Sequence, residues 1–279
     1  MTKRKSSELL KQELEDYYDR YAIEYQQAHY SETARYAPLQ FRQLYIENMI
    51  ENQRLLAGAR VLDVGCGPGE LTLSLLHKGF NVTAVDISQS MVNAAVRIIN
   101  DNGFPEWDQI SIGDIEGLEF DDDYFDVVVA SGVLEYQRDD ERSLSEMQRV
   151  LKRDGYLILN VTNRYSPNRV LGLPYDWSKQ WGPSRAALGF MKSRVFGKGS
   201  INPLPDHRVH SPGKFDRKLS ESGFEKLSHN YFHFSPLPSP FNSVFGFIAG
   251  PIGAQMEKLT RGPLGFLGGG YIVMARNRR

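Results

Sequence analysis

Apolar positions change period several times along this chain, and the changes divide it into elements. Leu10, Leu14, Tyr17 and Tyr21 recur at helical spacing, which predicts a helix from Ser6 to Gln27. A second helix is expected from Ala37 to Leu56, carrying Phe41, Leu44, Tyr45 and Met49 on one face. The short apolar run Val61–Val64 reads as a strand, and Leu71, Leu73, Leu75 and Leu76 mark a helix from Gly69 to Lys78. Strands are then expected at Asn81–Asp86, Gln109–Ile112, Phe125–Gly132 and Tyr156–Val161. Between them lie helices at Ser88–Asn102, with Met91, Ala95 and Ile98 inward, and at Asp139–Leu151, with Leu144, Met147 and Leu151 inward. Lys152-Arg153-Asp154-Gly155 reads as the turn that ends the second of these. Farther on, Ser211 as N-cap, Pro212 at the first position and Gly223 as stop frame a helix carrying Phe215 and Leu219. Two last strands fall near Phe224–Phe234 and Tyr271–Arg276.

The near-continuous valine run in Phe125–Gly132 is the pattern of a parallel strand buried on both faces. Alternating strands and helices predict an α/β architecture, a doubly wound, mostly parallel seven-stranded sheet with right-handed crossovers. No internal repeat is visible. The expected organisation is one domain over 1–279: N-terminal helices (1–57), a core (58–162), a cap insertion (163–210) and the C-terminal part of the sheet (211–279).

The chemistry concentrates at VLDVGCGPGE, where Gly65, Gly67 and Gly69 stand at every second position between a strand and a helix. Glycines there let the main chain turn with positive φ and approach a ligand closely. Position 70 is Glu70, so the dinucleotide fingerprint GxGxxG fails. That argues against a nicotinamide-dependent oxidoreductase. Asp63 interrupts an apolar strand, and a buried carboxylate needs a partner, so it is expected to face a ligand cation or loop amides. Asp86 ends the next strand, about 20 positions after the first glycine, where an acid can take both hydroxyls of a ribose.

With these features the chain resembles the class I S-adenosylmethionine (SAM) dependent methyltransferases, well over Val61–Val161 and more loosely in the flanks. The resemblance implies SAM as cofactor. It implies a binding set of Asp63, Gly65, Cys66, Gly67, Gly69, Asp86, Ile87, Asp114, Ile115 and Ser131. Asp114 is implied to take the adenine amino group, with an apolar neighbour on the ring. In this family N-terminal helices pack over the cofactor mouth, so Tyr21 or Tyr25 is expected against the sulfonium, which an aromatic face favours. On this reading Asp86→Ala is expected to weaken SAM binding by removing the ribose contacts while leaving the fold intact.

Composition narrows the partners. The 279 residues carry a net charge of −1, which does not suggest a nucleic-acid binder. Nine carboxylates and no base lie between Glu106 and Asp126, most of them expected on a solvated loop. Cys66 is the one cysteine, so neither a disulfide within the chain nor a thiolate metal cluster is expected. Nor does any stretch resemble a signal peptide or a membrane span, and a cytoplasmic location is expected. From Arg164 to Pro205 there are seven basic residues against the single acid Asp176, with Trp177 and Trp181. This insertion is expected to form a cationic, aromatic cap over an acidic or amphipathic substrate. The apolar segment 236–270 is too broken by Gly and Pro to span a bilayer, and it either packs on the sheet or presents a surface to a lipid-like substrate or, in peripheral contact, to a membrane face.

Methyl transfer from SAM rests on alignment, and a base is needed only for a protonated, high-pKa acceptor. His207, His210 and His233 are candidate bases, and Glu135 and Tyr136 are placed nearer the expected methyl. Strand 125–132 ends in Ala130-Ser131-Gly132 rather than an NPPY-type turn, which argues against planar amide or exocyclic amine acceptors. An oxygen of a small or amphipathic metabolite is the expected acceptor. A small amine, or a SAM-binding accessory role without turnover, are the alternatives.

Overall fold

The computed structural model describes residues 6–30, 38–167, 207–235, 246–260 and 262–279. Two helices, α1 (Ser7–Tyr30) and α2 (Pro38–Glu51), precede β1 (Arg60–Val64), α3 (Glu70–His77), β2 (Asn81–Asp86), α4 (Gln89–Asp101) and β3 (Ile110–Ile112). Then come β4 (Phe125–Ala130), α5 (Glu141–Val150), β5 (Leu151–Thr162), α6 (Pro212–Glu221), β6 (Phe224–Phe232), α7 (Gly246–Met256) and β7 (Gly270–Asn277). The strands form one sheet in the order β3-β2-β1-β4-β5-β7-β6. Pairings from β3 through β5 are parallel, and β7 runs antiparallel to both β5 and β6. The expected seven-stranded, mostly parallel sheet is therefore present.

Alternation along β4 shows how the valine run is used. Val128 and Ala130 join Leu62, Leu157 and Val273 in one core, completed by Leu144 and Met147 of α5 and by Phe215 and Leu219 of α6. Val127 and Val129 join Val61, Ile158 and Met274 in the other, completed by Ile46, Met49 and Ile50 of α2 and Leu71 and Leu75 of α3. Each burial removes apolar surface at about 25 cal/mol per Å², so two covered faces explain why β4 needs no polar position between Val127 and Ala130.

One local expectation fails. Lys152–Gly155 is not a turn outside the sheet but the first part of β5, bulged against β4. Phe125 pairs with Leu151 and Val127 with Tyr156, so the extra residues are accommodated as an irregularity in the ladder. Asp154 takes φ +60° there, and a side chain at Gly155 would stand 2.9 Å from the Lys152 carbonyl oxygen. The Lys152 ammonium folds back to Asp126 at 2.6 Å, and the Asn277 amide donates to the Leu151 and Lys152 carbonyls. A long strand at the centre of a sheet can absorb such a bulge because its neighbours hold both ends.

The expected cap, 168–206, lies outside the described residues, as does 236–245; what is described is the cap's root. Asn163 bridges to His210 in parallel, and the His210 N–H donates to the Thr162 carbonyl. Beneath this pair sits Asp140, whose carboxylate accepts from Arg208, from Lys218 at 3.1 Å and from His210 Nε2 at 3.3 Å. Burial alone would push this carboxyl up, but His210 and Arg208 overcome it and hold the group far below the ordinary carboxylate range. Ser211 caps α6 by backbone conformation only; its hydroxyl pairs with the Tyr165 phenol at 3.0 Å. Of the apolar C-terminal segment, Gly265 and Gly268 pack against Tyr231 and Phe232 of β6, while Ile252, Leu264 and Phe266 stay exposed. No described helix is long and apolar enough to cross a membrane.

Asp140 thus ties the root of the cap to α5 and α6, and its depressed pKa sets the sign of a test. The stability it contributes is fully present above the unfolded aspartate value of about 4 and is lost as pH falls below it. Asp140→Ala is expected to cost roughly 2–4 kcal/mol at pH 7, a buried-pair loss reduced because Arg208 and Lys218 are a third exposed. Chemical denaturation at pH 7 and pH 3 checks this, and the difference between variant and parent should shrink at pH 3.

Candidate active site

The sheet reverses its order of construction between β1 and β4, and the loops leaving these two strands diverge, which opens a crevice at their C-terminal ends. A cavity of about 590 Å³ fills that crevice. Its first wall is the glycine loop. Gly65 has φ +68° and a Cβ there would stand 2.2 Å from Val133, so only glycine fits. Gly67, at φ +55°, is different: a Cβ would meet no protein atom within 4 Å, and the loop face stays open for a ligand. Gly69 belongs to neither case. It caps α3 at φ +93°, and a Cβ would press on Ala95 of α4 at 2.8 Å. Gly69 does not line the cavity; it brings α3 and α4 together.

The three acids expected to bind cofactor are all present, with partners that change their reading. Asp63 is fully buried and lines the cavity, yet it accepts from the Thr72 hydroxyl at 2.7 Å rather than from loop amides. Burial pushes its carboxyl up to about 6, with Thr72 and Arg42 opposing and the Asp86 charge reinforcing. Asp86 also lines the cavity, but its oxygens already accept from the amides of Gly67 (2.8 Å) and Ser88 (2.9 Å). Its pKa is likewise raised by burial, which those amides offset in part. Asp86 is thus also a brace of the glycine loop, so the loss of its side chain reaches the loop as well as any ribose contact. Asp114 lines the far end of the cavity and holds Lys11 of α1 at 2.5 Å, with its second oxygen on the Glu116 amide.

Ile87, Ile115, Ser131 and Cys66 line the cavity as expected. Burial raises the Cys66 thiol well above its ordinary value, which leaves it an inert filler. The tyrosines are redistributed. α1 kinks at Tyr21 (φ −120°, ψ 15°), whose ring packs on Tyr17 with centroids 5.0 Å apart. Among the described side chains of this helix, Tyr18, one turn after Leu14, is the tyrosine that lines the cavity, and it meets Tyr136 edge to face at 6.4 Å. The Tyr25 side chain lies outside the described residues.

At the other end the cavity is closed by Glu135 and Tyr136, by Asn160 and Thr162 at the end of β5, by Phe232 and His233 after β6, and by His207. Glu135 is buried with one oxygen, Oε2, that meets no hydrogen-bond partner, and its pKa is raised by burial. His207 packs near Tyr136, ring centroids 6.3 Å apart. His210 is withdrawn as a candidate base: it is buried beneath the cavity wall, with Nε2 facing Asp140 and Nδ1 without a partner.

Reading the sequence alone missed Arg42, Tyr18 and Asn160. Arg42, from α2, is the cavity's one lysine or arginine among the described residues, and its guanidinium lies over Gly132. A single arginine on an amphipathic helix carries no signal of this. Asn160 does carry one, because a polar residue in the apolar strand YLILNV needs a buried partner, and it receives the Ser131 hydroxyl at 3.2 Å.

Residues 62–159 match the family model of a methyltransferase domain. The ubiquinone biosynthesis O-methyltransferase of Coxiella burnetii is 35% identical over 119 residues, 41% of this chain and 48% of that protein. Its namesake from Rickettsia conorii is 31% identical over 186 residues, covering 62% and 60%. The chain thus spans about half the length of the first of these curated relatives and three-fifths of the second. Among solved structures, magnesium protoporphyrin IX methyltransferase from Synechocystis PCC 6803 with bound SAH superposes over 96% of this chain and 99% of that one, at TM-score 0.62 and 16% identity. The glycine-loop crevice, the sheet order and these matches agree: residues 62–159 are similar to a methyltransferase domain, and the fold is that of the class I SAM-dependent methyltransferases.

Two predictions follow from the acids. Because the folded pKa of Asp63 is raised, its charge costs stability above about pH 6 and the cost fades as pH falls toward 4. Asp63→Asn is therefore expected to stabilise the ligand-free protein by roughly 2–3 kcal/mol at pH 7.5 and not at pH 4, read by chemical denaturation; equal stabilities at pH 7.5 would show the charge is already compensated. Asp86→Ala is expected to lower both SAM affinity and melting temperature, because it orphans the Gly67 and Ser88 amides at roughly 1–3 kcal/mol each. Calorimetry and a thermal melt on the same preparation check whether the two losses travel together.

Proposed function

We propose that the protein transfers the methyl group of SAM to an oxygen of a small or amphipathic metabolite. The observation that supports this most is the continuity of one cavity from the open glycine loop, past Asp63 and Arg42, to a polar end at β5, β6 and the cap root. The residues fit the cofactor. Gly67 leaves the loop face open, Asp86 and Asp114 line the cavity, which supports ribose and adenine contacts for them, and Ile87 and Ile115 offer apolar walls. Asp63 offers a buried negative charge and Arg42 a positive one, matching a ligand that carries an ammonium, a carboxylate and a sulfonium. Bound SAM supplies an activated methyl on a good leaving group.

The protein's part is then placement and dryness. The cavity walls hold the acceptor in line, an effect worth several powers of ten, and α1 covers the cofactor side through Leu14 and Tyr18. Oxygen as the atom methylated is supported by the names of the curated relatives, which are O-methyltransferases. An amine acceptor is the second reading, favoured by the unused Oε2 of Glu135, which suits an ammonium donor.

Incubating the purified chain with SAM and matched phenols and primary amines, and quantifying S-adenosylhomocysteine (SAH), tests this reading. Turnover with phenols is expected. Turnover with amines only would favour the second reading, and tight SAH binding with no turnover on any acceptor would make the chain an accessory binder. Glu135→Gln is expected to reduce turnover at least tenfold if Oε2 receives a donor from the acceptor, with SAH affinity unchanged.

A further inference from the structure

Resting on that reading, we infer that His233 is the side chain that receives the proton of the acceptor hydroxyl, and that Gly269 leaves room beside its ring. His233 follows the last residue of β6 and lines the cavity. Its φ is +61°, a left-handed conformation that a residue with a Cβ rarely holds without compensation.

The compensation comes from a buried carboxylate. Glu257 Oε1 accepts from the His233 amide at 2.9 Å and from the Phe234 amide at 3.3 Å, while Oε2 accepts from the Tyr45 hydroxyl at 3.2 Å. Tyr45 comes from α2, the helix whose Arg42 and Ile46 also line the cavity. Strain at this position is therefore fastened from two directions.

The three glycines are explained by the same corner. A Cβ at Gly268 would stand 2.9 Å from the Phe232 carbonyl oxygen, and one at Gly270 would stand 2.2 Å from the Phe232 ring. At Gly269 a Cβ would lie 3.1 Å from the His233 carbonyl oxygen and 3.5 Å from ring atoms Cγ and Nδ1. The Gly269 amide in turn donates to the His233 carbonyl at 2.9 Å. The imidazole thus lies beside the bare main chain of Gly269, and Gly269 and Gly270 share the cavity wall with His233. A turn that only had to reverse direction could use Gly or Asn in the left-handed position; an imidazole there, facing a cavity, has a use.

At this end of the cavity the proton balance is simple. The acceptor oxygen bonds to the methyl carbon as the carbon–sulfur bond breaks and its electron pair stays on sulfur. The hydroxyl proton passes to an imidazole nitrogen of His233, and the imidazolium later returns it to water. Products are a methyl ether and SAH, with no oxidant or metal required. Imidazole has a pKa suited to this near neutrality.

The test uses the full chain and the variants His233→Asn and His233→Gly, both compatible with positive φ. The expected result has three parts. Melting temperature stays equal or rises, and SAH affinity by calorimetry stays within about twofold. Phenol added to SAH-loaded, histidine-labelled protein shifts the His233 ring resonances, and its Kd weakens at least tenfold in both variants. SAM-dependent formation of anisole falls about a hundredfold or more, the range of a lost general base. Phenol that leaves the His233 resonances unmoved, or variants that melt lower while retaining phenol binding, would overturn the inference and make His233 a structural corner. Failure of the unmodified chain to bind SAH would instead remove the methyltransferase reading beneath it.

Discussion

A parallel sheet covered on both faces must send its crossovers to both sides, and somewhere in the middle two neighbouring strands release their chains in opposite directions. Here that happens at β1 and β4, and every functional feature described above follows from the gap it leaves. Val127 to Ala130 are the reason the gap is stable, since each residue of that run seals one of the two cores. At the mouth the Gly65 and Cys66 amides donate to the Val85 carbonyl, which leaves the Gly67 amide to find a side-chain acceptor. Asp86 supplies one, by accepting the Gly67 and Ser88 amides from the end of the neighbouring strand.

The cavity walls carry charges that a stable protein would avoid. Asp63, Asp86 and Glu135 are all buried, and burial raises the pKa of each. Only Arg42 among the described lysines and arginines lines the same space. Elsewhere the chain handles buried carboxylates differently: Asp140 is surrounded by Arg208, Lys218 and His210, and its pKa falls. Asp140 is thus met by cations, whereas burial outweighs the partners of Asp63, Asp86 and Glu135. Buried acids with raised pKa values cluster at the cavity, as they do at functional sites.

Strain follows the same division. His233 sits in left-handed backbone at the cavity, fastened by Glu257, whereas Asp154 takes a similar φ in a bulge of β5 on the exposed side of the sheet. The first is clamped by a buried carboxylate that receives two consecutive amides. The second is relieved by Gly155 and by the strand ladder on either side.

Much was legible from residue order alone. The order of hydrophobic segments, the GxGxG loop and the acid at the end of β2 point to the sheet, the crevice and a methyltransferase-like fold, because period, turn chemistry and spacing are local properties of the chain. What stayed hidden depends on which residues meet across space. Tyr18 rather than Tyr21 lines the cavity, and Tyr21, at the kink of α1, packs on Tyr17; Gly69 serves helix packing because Ala95 lies against it; His210 turns to Asp140, some seventy residues away in sequence. Arg42 and Glu257 gave no signal at all, since one arginine on a helix and one glutamate in a glycine-rich segment look like solvated charge until the sheet folds beneath them. The sequence by itself determined the scaffold and the cofactor class; tertiary structure alone decided which charges are left bare in the cavity, because desolvation is set by neighbours and not by neighbours in sequence.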